Sequence, residues 1–277
     1  MVYQKNQNDD DDIEILPFDM KKIRKDTIIL IMGKRNTGKS FLVRDILYHK
    51  RDLQIGKVFS KTDTLNGFYR NFIPSILIND GYDSSEIGKI LSRQKNMVEK
   101  NAKDPNIFIL IDDCLSDKSW SKDSNIKEIF YNGRHYKIFF ILTMQQPMGI
   151  PPDLRGNIDY TFILQFNHAS DREKIFKHYA GSFKQNQRDL FEEILNQVTE
   201  DYGCLVIDNV TKSTKIKDQI FYYKAKPRDF RMCSEKLWRL DEEKKLRNAY
   251  SSNKIITSSF TYSKGNDKKK IVIKKRK

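Results

Sequence analysis

Twenty residues, "IILIMGKRNTGKSFLVRDIL" (28–47), constrain this chain more than any other stretch of it. An unbroken apolar run leads into a loop framed by Gly33 and Gly38, and an amphipathic segment follows. The loop fits G-x-x-x-x-G-K-[ST] through Gly33, Gly38, Lys39 and Ser40. A strand before such a loop and a helix after it make a phosphate cradle, because backbone N–H groups and the positive end of the helix dipole face the anion. Lys39 is expected to reach the β- and γ-phosphates of a nucleotide, and Ser40 to offer its hydroxyl to Mg²⁺. Nucleotide contacts are expected along the whole stretch of Gly33, Lys34, Arg35, Asn36, Thr37, Gly38, Lys39, Ser40 and Phe41.

Beyond the loop, short apolar runs alternate with longer amphipathic ones, the pattern of an α/β fold with a mostly parallel sheet. Strands are expected at 27–32, 57–60, 107–112, 137–144, 160–166, 204–208 and 219–223. Several are apolar throughout, as required when helices cover both faces of a sheet. Leu190, Phe191, Ile194, Leu195 and Val198 recur at helical period, and Ser170 with Glu173 reads as a capping box opening another helix.

Two further segments carry chemistry. "IFILIDDC" (107–114) ends an apolar strand in Asp112 and Asp113, and the carboxyl edge of such a sheet is where ligands sit. Asp112 is expected to hold the Mg²⁺ hydration shell and Asp113 to orient and deprotonate an attacking water, since two adjacent carboxylates are tolerable beside a cation. "NGRHYKIFFILTMQQPMGI" (132–150) ends another apolar strand at Thr143, and Gln145 follows. A glutamine there can sense the γ-phosphate or position water. Arg134, before this strand, and Arg155, in "PPDLRGNIDY", are the candidates for stabilising transition-state charge across a subunit boundary.

Composition bounds the class. Hydrophobic residues make up 38% of the 277, enough for a sizeable core. No apolar run approaches the roughly 20 residues of a membrane span. The three cysteines lack C-x-x-C spacing, which argues against a metal site or disulfide framework and for a reducing compartment. The net charge is +14, and residues 264–277 hold eight Lys or Arg against one Asp, half of that excess. Such a tail suits polyanion binding or nuclear import. The expected organisation is an acidic disordered leader (1–12), a P-loop ATPase domain (13–230), a C-terminal helix (231–250) and a disordered basic tail (251–277).

Together, "GKRNTGKS", "FILIDDC", "NGRHYKIFFILTMQQ" and "PPDLRGNIDY" resemble the DNA-packaging ATPases of nucleocytoplasmic large DNA viruses, which are similar to the FtsK–HerA group of P-loop motors. The resemblance covers about residues 13–230. It implies a RecA-like (ASCE-type) sheet in which strand 137–144 lies between the loop strand and the Asp112 strand, bringing Gln145 beside the γ-phosphate. It further implies ATP and Mg²⁺ as cofactors, double-stranded DNA as partner, a homo-oligomeric ring, and contact with a capsid, portal or internal membrane component by a protein that is not itself transmembrane. The implied place is the host cytoplasm, at viral factories, and the virion; the basic tail keeps the nucleus open. One departure is visible: the wider motor group carries Asp-Glu where this chain has Asp112-Asp113. Two other readings explain less. A nucleoside or small-molecule kinase accounts for the loop but not for the carboxylate pair and the glutamine strand. A non-catalytic ATP-binding nucleic-acid assembly factor leaves the intact Lys39, Ser40 and Asp112 without a task.

Overall fold

A computed structural model describes residues 2–3, 13–114 and 118–258. The basic stretch 264–277 and most of the acidic leader lie outside the described residues. Strands run at β1 (Val2–Tyr3), β2 (Ile13–Glu14), β3 (Leu16–Pro17), β4 (Ile28–Met32), β5 (Gly56–Ser60), β6 (Ile78–Asn79), β7 (Ile107–Asp112), β8 (Ile138–Met144), β9 (Tyr160–Ile163), β10 (Gly203–Asp208) and β11 (Ile220–Lys224). Helices are α1 (Lys39–Tyr48), α2 (Asp63–Asn66), α3 (Ser84–Glu99), α4 (Ser124–Asn132), α5 (Pro152–Arg155), α6 (Ala169–Tyr179), α7 (Arg188–Val198), α8 (Ile216–Gln219) and α9 (Glu235–Ser258).

Nine of these strands form one sheet in the order β3-β11-β10-β9-β4-β8-β7-β5-β6. Only β10 runs antiparallel to its neighbours; every other pairing in the sheet is parallel. Every residue of β4, β7 and β8 is buried. Successive strand residues point to opposite faces, so unbroken burial means that both faces are covered. The inserted strand is where the resemblance implied it, with β8 between β4 and β7. Short edge strands β3 and β6 carry no periodic signal of their own and follow from pairing with β11 and β5.

The structure differs from the sequence reading in three places. Val2–Tyr3, inside the segment expected to be a disordered leader, pairs antiparallel with Ile13–Glu14. Helix α6 starts at Ala169 after His168, with no side-chain cap, so Ser170 and Glu173 form no capping box. The His168 carbonyl accepts from Asp171 N and Arg172 N, which opens the helix ahead of Ser170. The chain divides after Ser234, and the second unit carries α9, whose Ser258 end lies beyond the expected boundary at 250.

Candidate functional site

Because β4, β7 and β8 are parallel and adjacent, their carboxyl ends meet at one edge of the sheet. Met32 lies opposite Met144, and Asp112 opposite Thr143. The Gly33 N–H donates to the Met144 carbonyl at 3.0 Å, extending the ladder by one residue before the chain turns into the loop. A Cβ on Gly33 would lie 2.6 Å from Thr37 Oγ1, so a side chain there would force the loop apart. Thr37 Oγ1 donates to the Lys34 carbonyl at 2.8 Å, and Asn36 and Gly38 take left-handed backbone angles of 61° and 95°. With Gly38 as its N-cap, α1 begins without a side-chain cap, so its first N–H groups stay available to an anion.

Lys39 is buried and folds back across this loop. Its Nζ donates to the carbonyls of Gly33 (2.9 Å) and Lys34 (3.0 Å) and stands 3.5 Å from Asp113 Oδ2. Gln145 Nε2 donates to the same carboxylate oxygen at 3.0 Å. The loop lysine, the second aspartate and the strand-end glutamine, which are 32 to 106 positions apart in the chain, therefore share one point in space.

Thr143 organises the carboxylate pair. Its hydroxyl donates to Asp112 Oδ1 at 2.6 Å and accepts from the Asp113 N–H at 3.1 Å. That second bond holds Asp113 at φ 48°, a left-handed conformation that costs a non-glycine residue roughly 1–2 kcal/mol. The bend turns Asp113 out of the strand toward Lys39 while Asp112 stays in it. Burial raises the Asp112 carboxyl above its ordinary range, against the lowering effect of Thr143, Tyr69 and nearby Lys39. Among the described residues no Lys or Arg nitrogen lies within ion-pair distance of Asp112.

Tyr69 was invisible to sequence reading and reaches the same place. It follows α2 and is almost wholly buried, and its hydroxyl lies beside Asp112 and Ser40. It lies close enough to interact with both, but the buried hydroxyl makes no hydrogen bond of regular geometry. Such a group costs about 1–3 kcal/mol.

The Ser40 hydroxyl and the Asp112 carboxylate are hard oxygen donors of the kind Mg²⁺ takes. Among the described residues no group of three His, Cys, Asp or Glu side chains could hold a metal alone. That suits Mg²⁺, which binds through one or two protein oxygens together with substrate phosphates and water. Cys114, next to the pair, is buried; burial pushes its thiol up to about 12, which leaves it protonated and inert.

The remaining expected residues spread around this centre. Lys34 pairs with Asp171 at 2.7 Å, Arg35 is exposed, and Phe41, 55% exposed, stands against Phe68 with ring centroids 6.0 Å apart. Arg134 is not at the loop. It precedes β8, at the amino edge of the sheet, and pairs with Asp159 at 2.5 Å, while Asp159 also accepts from the Ile28 N–H. Arg155 ends α5 with its guanidinium over the Tyr179 ring at 5.4 Å and one buried nitrogen, Nη1, without a partner. The structure thus gathers Lys39, Ser40, Asp112, Asp113 and Gln145, and leaves Arg134 and Arg155 outside the group.

Comparison with known proteins follows the same outline. The family model described as Poxvirus A32 protein matches residues 16–226. The chain is 40% identical over 226 residues to "Uncharacterized protein L437" of Acanthamoeba polyphaga mimivirus, covering 78% of this chain and 79% of that protein. It is 37% identical over 198 residues to "Uncharacterized protein 088R" of Invertebrate iridescent virus 3, covering 71% and 75%. Among solved structures, the genome packaging NTPase B204 from Sulfolobus turreted icosahedral virus 2 in complex with AMP superposes with a TM-score of 0.53 at 15% identity, over 74% of this chain and 100% of that one. The fold is that of P-loop NTPases.

Proposed function

The chain belongs to the Poxvirus A32 protein family, and on that premise we propose that it is an ATP-hydrolysing motor that drives double-stranded DNA into a preformed viral capsid. The observation that carries this reading is the meeting of Lys39, Asp113 and Gln145 on one carboxylate oxygen at the carboxyl edge of three adjacent parallel strands. A nucleotide-holding fold needs the loop alone. A machine that couples hydrolysis to movement needs a lysine on the phosphates, a base for water and a sensor on the next strand in mechanical contact with both.

In this reading the loop N–H groups and Lys39 bind the β- and γ-phosphates. Lys39 gives up its bonds to the Gly33 and Lys34 carbonyls and donates to the phosphate oxygens instead. Ser40 and Asp112 would hold Mg²⁺, which would supply positive charge to offset that of the phosphates. Asp113 is released from Lys39 and takes a proton from the attacking water. Aspartate is a methylene shorter than glutamate, and the left-handed turn at Asp113 supplies part of the reach by carrying its carboxylate out of the strand. Gln145 feels the loss of the γ-phosphate through Asp113 and passes it to β8 and the loop beyond.

Subunits form a ring, with Arg134 or Arg155 as the arginine offered to a neighbour. For Arg134 this requires release from Asp159. DNA is gripped by its phosphates, because a motor that tracks duplex DNA cannot depend on sequence. The partners are a capsid, portal or internal membrane component, in the host cytoplasm or in the virion. No described helix is long and apolar enough to cross a membrane.

The test is ATP hydrolysis by the purified protein with and without long duplex DNA, beside Lys39→Ala. Stimulation by DNA that weakens with salt and vanishes in Lys39→Ala is the expected result. Hydrolysis indifferent to DNA in the assembled oligomer overturns the motor.

A further inference from the structure

Tyr69 presents a buried hydroxyl that the fold places firmly and then leaves without a hydrogen bond of regular geometry. Its main chain is pinned: the Tyr69 N–H donates to Asp63 Oδ1 at 2.6 Å, and Arg70 holds the same fully buried carboxylate through Nε at 3.1 Å and the Asp63 carbonyl through Nη2 at 2.9 Å. Its ring is wedged edge-on against Phe68 at 5.2 Å and tilted against Phe72 at 6.0 Å. Gly67, with a backbone angle of 65°, makes the turn that brings the segment round. Everything about the residue except its hydroxyl is satisfied, and that hydroxyl lies near both Asp112 and Ser40 without a hydrogen bond of regular geometry.

A tyrosine fixed for packing alone would lose nothing as phenylalanine and would not carry an unpaired polar atom inside the molecule. A tyrosine hydroxyl is a hydrogen-bond donor at neutral pH, so it can donate to an anion. The groups facing it are Asp112, Ser40 and, further off, Asp113. Ser40 and Asp112 are also the two protein oxygens suited to a divalent cation.

We propose that Tyr69 is a positioning residue for the Mg²⁺ of the nucleotide site: its hydroxyl donates to the Asp112 carboxylate once the cation and triphosphate are bound, fixing from one side the carboxylate that Thr143 fixes from the other. The assignment rests on the nucleotide-site reading above. It adds a second donor to Asp112, contributed by the segment after β5 rather than by the loop, β7 or β8.

The experiment compares the full chain with Tyr69→Phe, which retains the ring and its aromatic neighbours. A non-hydrolysable ATP analogue is bound at increasing Mg²⁺ and again in EDTA, and thermal melting is recorded without nucleotide. The expected result is a half-saturating Mg²⁺ concentration raised about tenfold, the scale for loss of an outer-shell partner of a metal ligand. Affinity in EDTA stays the same, and melting is unchanged or higher. A Mg²⁺ requirement within about twofold of the parent overturns the proposal, and a lowered melting temperature beside it makes the hydroxyl structural. If the parent itself shows no Mg²⁺-dependent binding, the nucleotide-site reading falls as well, so the two failures are told apart.

Discussion

Two aspartates are buried within the elements around the phosphate loop, and they are treated in opposite ways. Asp45, on α1, is fully buried and saturated: it accepts from the Tyr223 hydroxyl at 2.6 Å, the Lys226 N–H at 2.9 Å and Arg228 Nε at 2.6 Å. Arg228 in turn lies over the Tyr48 ring at 4.2 Å. Asp112, at the end of β7, is equally removed from water, has the Thr143 hydroxyl as a donor, and has no cationic side chain at ion-pair distance among the described residues. A buried charge is tolerable only when paired and hydrogen-bonded. The saturated carboxylate clamps the loop helix to the 223–228 segment, whereas the under-supplied one is the one assigned, in the proposed function, to a cation that arrives with the substrate. A carboxylate's donors, more than its burial, tell structure from site.

The sharpest way to break this contrast is at the residue that serves the site from the loop. Lys39→Ala removes the donor to two loop carbonyls and the charge facing Asp113, and hydrolysis should fall by at least about 100-fold, measured by phosphate release. Next comes the clamp. Asp45→Asn puts an amide against three donors and leaves Arg228 without its counter-charge. Stability to denaturant should fall by roughly 2–3 kcal/mol, less than for a fully buried pair because Arg228 keeps contact with water. Folded protein should still bind nucleotide at low temperature. Loss of nucleotide binding without loss of stability would show that Asp45 belongs to the site instead.

Thr143→Val removes both the donor to Asp112 and the acceptor for the Asp113 N–H. Stability should drop by about 1–2 kcal/mol, and hydrolysis by roughly tenfold, because the left-handed turn at Asp113 is no longer held. The smallest effect on stability has the opposite sign. Asp112→Asn should abolish Mg²⁺-dependent hydrolysis and yet raise the stability of the nucleotide-free protein by about 1 kcal/mol. The sign follows from linkage: burial raises the Asp112 carboxyl, so the folded state holds that proton more tightly than the unfolded chain. Stability from this group is gained as pH falls through the raised value and lost as pH rises past it. The parent should therefore show an acid-side gain in stability that Asp112→Asn lacks. A destabilised Asp112→Asn would mean that the carboxylate is already as well served as Asp45.

The sequence by itself determined the features whose physics is local. A strand, a glycine-framed turn and a helix start occupy consecutive residues, so the cradle at Gly33–Ser40 can be read from 28–47 alone, and the unbroken apolar runs require strands covered on both faces. The order of β4, β8 and β7 was also legible, through resemblance of four motifs rather than through any property of the strands themselves. What only the tertiary structure decided are contacts between residues far apart in the chain. Tyr69 against Asp112, Thr143 bridging two aspartates on the next strand, Arg134 on Asp159 at the far edge of the sheet, and Asp45 on Arg228 are examples. Thr143 left a faint trace as a polar residue near the end of an apolar strand; Tyr69 left none, because a buried tyrosine in "FYRNF" looks the same whether its hydroxyl is used or idle. Periodicity and spacing report which way a side chain points from its own backbone. Which distant group it meets is set by strand order and register, so the partners that divide a structural aspartate from a functional one exist only once the sheet has formed.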